Sequence, residues 1–473
     1  MLIIKRSKLL LLLLVLLISS FSCTTDEGEP TTDDTMVTDD DPGGDDDDGN
    51  TQVPPDGFSG VIDWTRSLGG SQIDQATGIT ASADGNFFVV GTTYSNDGDI
   101  TDKQGNDADY WVIKMTPTGT VLWSKTYGTT EDELANSIEA TNDGGFVISG
   151  YSRGHNCGPN SNAGFHDYWL AKFDASGASD WCQNFGFSGS DQGFDAFQTA
   201  DGGYFATGYF DVSASNGQGN DDRSNQGALH GVGEYWAIKM DASGEFIWRR
   251  YFGGSNNDRS YDALQTPDGG FILAGASESD DFDITDSKGS YDLWAVKVSA
   301  DGDKVWTKSY GGSEIDIGYS MTPTSDGNYL FAGDARSADQ DITNSYGNAD
   351  MWVVKIGPSG NKISQKNYGG SRFDSARKIK QLSSGNYVMV GSTRSNDNDV
   401  SIGNGENDAW MVLIDNNLNL LYEKTIGGSN LDFAEDAIEL ADGSIVIIGN
   451  TESNNGNIPG NKGLKDALIV KIK

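Results

Sequence analysis

Four segments of this chain carry oxygen side chains at alternating positions: Ser95, Asp97 and Asp99; Ser279, Asp281 and Asp283; Ser337, Asp339 and Asp341; Ser395, Asp397 and Asp399. A fifth weakens the pattern to Ser453, Asn455 and Asn457. Oxygen groups so spaced suit calcium, which takes about 6 to 8 oxygen ligands. The competing reading is a polar loop in which Asp accepts hydrogen bonds from nearby backbone N–H groups. Three of the four loops lack a central glycine, and all lack the distant bidentate Glu of an EF-hand.

A second set of candidates interrupts this regularity. His155, Cys157, His166 and His230 lie in or directly beside two irregular stretches, residues 154–165 and roughly 211–233. A thiolate with imidazoles can ligate zinc, and a Cys-His pair can attack a carbonyl. The spacing matches no known ligand pattern, so polar surface loops are the simpler reading. Cys157 and Cys182 are the only cysteines after Cys23 and form a candidate disulfide in an oxidising compartment.

A third set is a column of acids: Asp74, Glu133, Asp191, Asp258, Asp316, Asp374 and Asp432, each ending a GGSxxD-like element. If the strands they open line one channel, carboxylates ring its mouth, as a polysaccharide hydrolase or lyase would require. Alternatively each acid closes an Asx-type turn or pairs with the column Lys114, Lys172, Lys239, Lys297, Lys355 and Lys471.

These sets recur because the chain is a repeat. Copies open at Trp64, Trp123, Trp181, Trp248, Trp306, Ser364 and Tyr422, mostly 58 residues apart. Each copy has an opening strand, the acid element, a strand, a turn such as Asp268-Gly269, a strand ending near Gly275, a polar loop, and a strand beginning Asp292-x-Trp294. An Asp-Gly between β-rich runs is a hairpin signal. Four short strands per period make a propeller blade. The expected fold is therefore all-β, a seven-bladed β-propeller of four-stranded antiparallel blades over residues 58–473. The last copy supplies only three strands, so residues 58–67 are expected to complete it and close the ring. Closure removes open strand edges.

A residue present in every blade is needed by every blade. On that ground the eleven tryptophans, which fall in two columns, are assigned to blade packing. The glycine column from Gly91 to Gly449 is assigned to close backbone approach within sheets. The repeats resemble bacterial β-propeller repeats of the SBBP type, through Gly253 to Asp258, Asp268 to Gly270 and Asp292 to Lys297. That resemblance implies a fold and an extracytoplasmic setting, and no single activity.

Ahead of the repeats, Lys5, Arg6 and Lys8 precede an apolar run and Ser20-Phe21-Ser22-Cys23, which has the logic of a secretory signal over residues 1–22. The cysteine resembles that of a bacterial lipobox, with Ser20 where the pattern usually has Leu, and implies lipidation of Cys23. Residues 24–57 hold thirteen acids and no Lys or Arg, which reads as an acidic disordered tether. Residues 23–29 are similar to the acidic export signal of Bacteroidota surface lipoproteins.

The net charge of -38 makes nucleic acid an improbable partner. The expectation is a monomeric, non-enzymatic lipoprotein at the outer membrane, exposed on the cell surface and touching the membrane through its lipid only. It would bind a protein or polysaccharide through one loop-rich face and require no cofactor, calcium being the one candidate. A polysaccharide hydrolase or lyase is the alternative.

Overall fold

The computed structural model describes residues 57–154, 157, 162–220 and 230–473. The expected signal, lipidated Cys23, nearly all of the tether, and His155 lie outside them. The described chain is a seven-bladed β-propeller of seven four-stranded antiparallel sheets. Blade one runs outward from the channel as Asp74–Ala81, Phe87–Thr93, Asp109–Met115 and Val121–Tyr127. The other blades repeat this order.

The hydrophobic pattern explains the layering. Second and third strands are buried along their whole length, as in Phe271–Ser277 and Asp292–Val298, because each is covered on both sides by neighbouring blades. Outer strands such as Lys304–Tyr310 are half exposed, open at their start and buried at their last two residues. Seven apolar clusters result, one at each blade junction; Ala76 and Ile79 of blade one, for example, pack with Val446 and Ile469 of blade seven. Stability is thus distributed around the ring, and every junction must close.

Closure is made as expected. Strand Ile62–Leu68 pairs antiparallel with Asp466–Ile472 as the outer strand of blade seven. Both tryptophan columns serve packing. Trp111, Trp236, Trp294, Trp352 and Trp410 are fully buried in third strands. The opening-strand rings lie against the turn glycine of the next blade, with Trp64 Nε1 donating to the Pro117 carbonyl at 3.1 Å and Trp248 Nε1 to that of Ala300 at 3.0 Å.

The glycine column is a steric requirement. A Cβ on Gly333 would stand 1.7 Å from the Ile317 carbonyl oxygen, and one on Gly91 would stand 1.6 Å from that of Gln75. Backbone cannot yield as a side-chain end can. Gly333→Ala is expected to cost about 3 kcal/mol, the upper end of overpacking penalties. Gly327→Ala, at a turn glycine with φ of 80° and open space around it, should cost only about 1 kcal/mol. Urea denaturation of the two variants checks the difference; equal losses would show that crowding is not the reason for the column.

Candidate functional site

The inner strands run from a loop-bearing face to a face of hairpin turns. On the loop face, the acid of each GGSxxD element is enclosed by its own blade. Asp74 accepts hydrogen bonds from Gly70 N at 2.6 Å and Ser95 Oγ at 2.8 Å; Asp258 does so from Gly254 N at 2.7 Å and Ser279 Oγ at 2.9 Å. The same pair of donors reaches Asp316, Asp374 and Asp432. These acids are turn-closing groups rather than a free ring of carboxylates.

The alternating loops complete the clasp. Asp97 accepts Ser71 N at 2.7 Å and Asp99 accepts Gly69 N at 2.9 Å; Asp281, Asp339 and Asp397 accept the serine N–H of their own GGS at 2.8 Å. Asp283, Asp341 and Asp399 take the glycine N–H at 3.3, 3.4 and 3.3 Å. Asn455 and Asn457 make the corresponding bonds in blade seven, so the position needs an acceptor and not a charge. Among the described residues no group of three or more His, Cys, Asp or Glu is placed to hold a metal ion.

The lysine column does not meet the GGSxxD acids. Lys114, Lys172, Lys239, Lys297, Lys355 and Lys471 instead pair with the hairpin-turn acids Asp84, Asp143, Asp201, Asp268, Asp326 and Asp442 at 2.7–3.0 Å. The reason is strand length: five residues along a strand carry the lysine roughly 16 Å from the loop face. Blade six, whose turn has Ser384, also has Leu413 at the lysine position. That paired change was the available signal.

Among the described residues, the candidate side chains of the irregular loops stand apart. Cys157 is joined to Cys182 in a disulfide, Cα atoms 5.5 Å apart, so it offers neither a thiolate ligand nor a nucleophile. His166 packs on Tyr151 and Phe165 with Nδ1 3.1 Å from Ser190 Oγ, and burial pushes it down to about 4. His230 lies elsewhere, stacked on Phe282 at 4.7 Å with Nδ1 3.2 Å from Glu234. In blade three the insertion opens with a one-turn helix, Val212–Ser215, capped by Asp211.

Two features carry chemistry that sequence reasoning missed. Six large apolar side chains stand exposed on the loop face, one each from blades two to seven: Phe165, Val232, Phe282, Tyr346, Ile402 and Leu464, at 40–63% exposure. Phe282 is held there at a φ of 50°, a left-handed conformation that a bulky residue adopts at a cost of about 1 kcal/mol.

The other is the channel. Every inner strand has a bulge directly after the acid's small second neighbour, as between Ala76 and Gly78 or Ser260 and Asp262. The bulge turns two successive residues inward. They differ from blade to blade: Thr77 and Gly78, Asn136 and Ser137, Phe194 and Asp195, Tyr261 and Asp262, Tyr319 and Ser320, Arg377 and Lys378, Glu435 and Asp436. Chemical disagreement within one column of the repeat was the signal for it. Lys378 stands 3.4 Å from Asp262, and Lys380 2.7 Å from Asp436. Glu139, Asp195 and Lys378 line both a cavity of about 310 Å³ nearer the loops and one of about 240 Å³ nearer the turns. The ionic cluster is therefore a floor across the channel.

No protein-family model matches the chain. No curated protein matches it. Among solved structures, it is similar to the WD40 domain of Pan2 from Neurospora crassa, at 8% identity over 85% of this chain and 89% of that one, with a TM-score of 0.45. It is similar to BamB from Moraxella catarrhalis at 12% identity over 84% and 85%, TM-score 0.36. A protein of unknown function from Bacteroides caccae matches at 12% identity over 59% and 78%, TM-score 0.33.

Proposed function

We propose that the chain is a non-enzymatic binding propeller, a surface lipoprotein of the SBBP-repeat kind. Lipid on Cys23 holds it at the outer membrane, residues 24–57 serve as a tether, and the loop face engages a protein or polysaccharide. The ring of exposed apolar side chains on one face carries this reading. Loops on a rigid scaffold are where recognition is commonly placed, and six of the seven blades each present a large apolar side chain there.

A hydrolase or lyase would need two carboxyl groups free to meet substrate. The loop-face acids are engaged by their own blades, and Asp195 and Asp262 face each other with Lys378 beside them.

Two measurements test the proposal. Cys23→Ser is expected to move the chain from the membrane to the soluble fraction; unchanged partition would remove the anchor. Phe282→Gly combined with Tyr346→Ser should cut capture of envelope protein or glycan by about tenfold, as loss of two central contacts implies. Stability should stay within about 1 kcal/mol, since relief of the left-handed strain offsets the lost stack on His230. Undiminished capture by this folded variant would reject the loop face.

A further inference from the structure

The cavity on the loop side of the channel has one aromatic wall and an excess of carboxyl groups. Phe194, Tyr261 and Tyr319 follow one another around three blades, with ring centroids 5.1 and 5.3 Å apart. Four carboxyls and two cations line the same space. Both cations are already engaged: Arg377 lies over the Tyr319 ring at 4.3 Å and faces Glu435 and Asp334, while Lys378 is 3.4 Å from Asp262.

Asp195, only 6% exposed, has the carboxyl of Asp262 as its hydrogen-bond neighbour. Two ionised carboxylates can only accept, so one of the pair must hold a proton or face a cation. Asp262 has other donors, the N–H groups of Met321 at 2.8 Å and Ala263 at 3.1 Å. Asp195, raised by burial and by the neighbouring Asp262, therefore holds the proton of the pair unless a cation takes its place.

We propose that this cavity is a binding site for an organic ammonium group, the protonated amine of an amino sugar or of a lysine side chain, seated between the aromatic wall and the carboxyls of Asp195 and Glu435. A cation over aromatic faces is attracted by their quadrupoles, and the surrounding acids supply the opposite charge. An anion meets the carboxyl excess, and a neutral polyol leaves that excess unopposed. The volume of about 310 Å³ is at the small end of ligand sites, which suits one ring or one side chain. The proposal uses the channel and goes beyond the loop-face reading, which stands or falls separately.

Calorimetric titration of the full chain tests it with four probes: glucosamine, N-acetylglucosamine, Nα-acetyl-lysine methylamide and its Nζ-acetylated form. At least one free amine should bind saturably with a dissociation constant below about 1 mM, and its acetylated form should bind about tenfold more weakly or not at all. The tighter amine identifies the source, sugar or side chain. Asp195→Asn and Glu435→Gln should each weaken binding by about tenfold, and Phe282→Gly should leave it unchanged. The two acid variants lie in different blades, so one that fails to fold leaves the other as the test. Absence of saturable binding by either amine, equal binding of an acetylated form, or indifference to a folded acid variant would each overturn the proposal.

Discussion

A chain lacking residues 58–68 is expected to lose its single cooperative unfolding transition. Strand Ile62–Leu68 is distant in sequence from the blade it completes, and among the described residues it is the strand that pairs with the outer edge of Asp466–Ile472. It contributes more than a ladder. Ser67 Oγ donates to Asp466 at 2.8 Å, Lys473 Nζ pairs with Asp63 at 2.6 Å, and Leu68 and Trp64 pack into the cluster shared by blades seven and one. Returning Leu68, which is buried, and Ile62 and Trp64, which are half-buried, to water costs about 3–6 kcal/mol, at roughly 1.5–3 kcal/mol for a fully buried side chain and half that for the other two. That is a large part of the stability of a typical domain, about 5–15 kcal/mol. The melting temperature should fall by several degrees, at about 1.2 °C per kcal/mol for a ring of this size, and the exposed edge should pair between molecules. Circular dichroism melting and size-exclusion elution check both. A peptide spanning 58–68 added in trans should restore part of the loss. An unchanged melting curve would mean that the ring does not depend on this strand.

Stability is expected to fall as pH rises from 5 to 9. At each junction the acid opening a third strand approaches the GGSxxD acid of the next blade. A Cβ on Gly69 would meet Asp466 Oδ1 at 2.5 Å and Asp74 Oδ2 at 2.8 Å, and Gly311 stands likewise between Asp292 and Asp316. Burial raises these groups: Asp109 to about 7, Asp191 to about 8, and Asp258 and Asp292 to about 6. Burial raises Asp350, Asp408, Asp432 and Asp466 as well.

A group raised in the folded state stabilises fully below its unfolded pKa of about 3.9, and that contribution is lost as pH climbs through the folded value. The relevant window is therefore about pH 4–8. The turn acids act in the opposite sense. Hydrogen bonds, first from Thr199 for Asp201 and first from Ser444 for Asp442, hold these carboxyls at about 2, so their smaller contribution disappears only as pH falls toward that value. Stability should be greatest near pH 4–5 and decline by on the order of 5 kcal/mol by pH 9, since each tenfold difference in proton affinity between the folded and unfolded chain is worth about 1.4 kcal/mol. Urea denaturation at pH 5, 7 and 9 measures this, with Asp292→Asn expected to flatten the slope by one group's share. A flat or rising profile would reject the buried pairs as its cause.

Much of the fold was legible in the linear chain because a propeller is built from local grammar. The Asp-Gly turns have glycines in the left-handed region, from Gly85 at 82° to Gly443 at 78°. Strand Phe271–Ser277 pairs with Asp292–Val298, the next strand along the chain, with Gly275 opposite Trp294. Repetition also separated scaffold from remainder, and Trp, Gly and GGSxxD acids all proved to belong to the blades.

The repeat drew attention to the irregular loops of blades two and three. There Cys157 is tied to Cys182, and His166 and His230 sit in separate aromatic surroundings. Positions such as Phe194, Tyr261, Arg377 and Glu435 look unremarkable in sequence, each being one polar or aromatic residue among many. They become one surface only when seven inner strands converge on an axis.

By itself the sequence determined the ring, its closure and the residues that every blade must keep, since those follow from hairpin geometry and from side chains that repeat with the period. The tertiary structure alone decided what the channel contains and which acid meets which lysine. Those contacts join residues from blades as far apart as Asp262 and Lys378, 116 positions along the chain, and no short-range periodicity encodes them. A bulge of one residue in each inner strand aims the side chains inward, and the closing of the ring brings them within reach of each other.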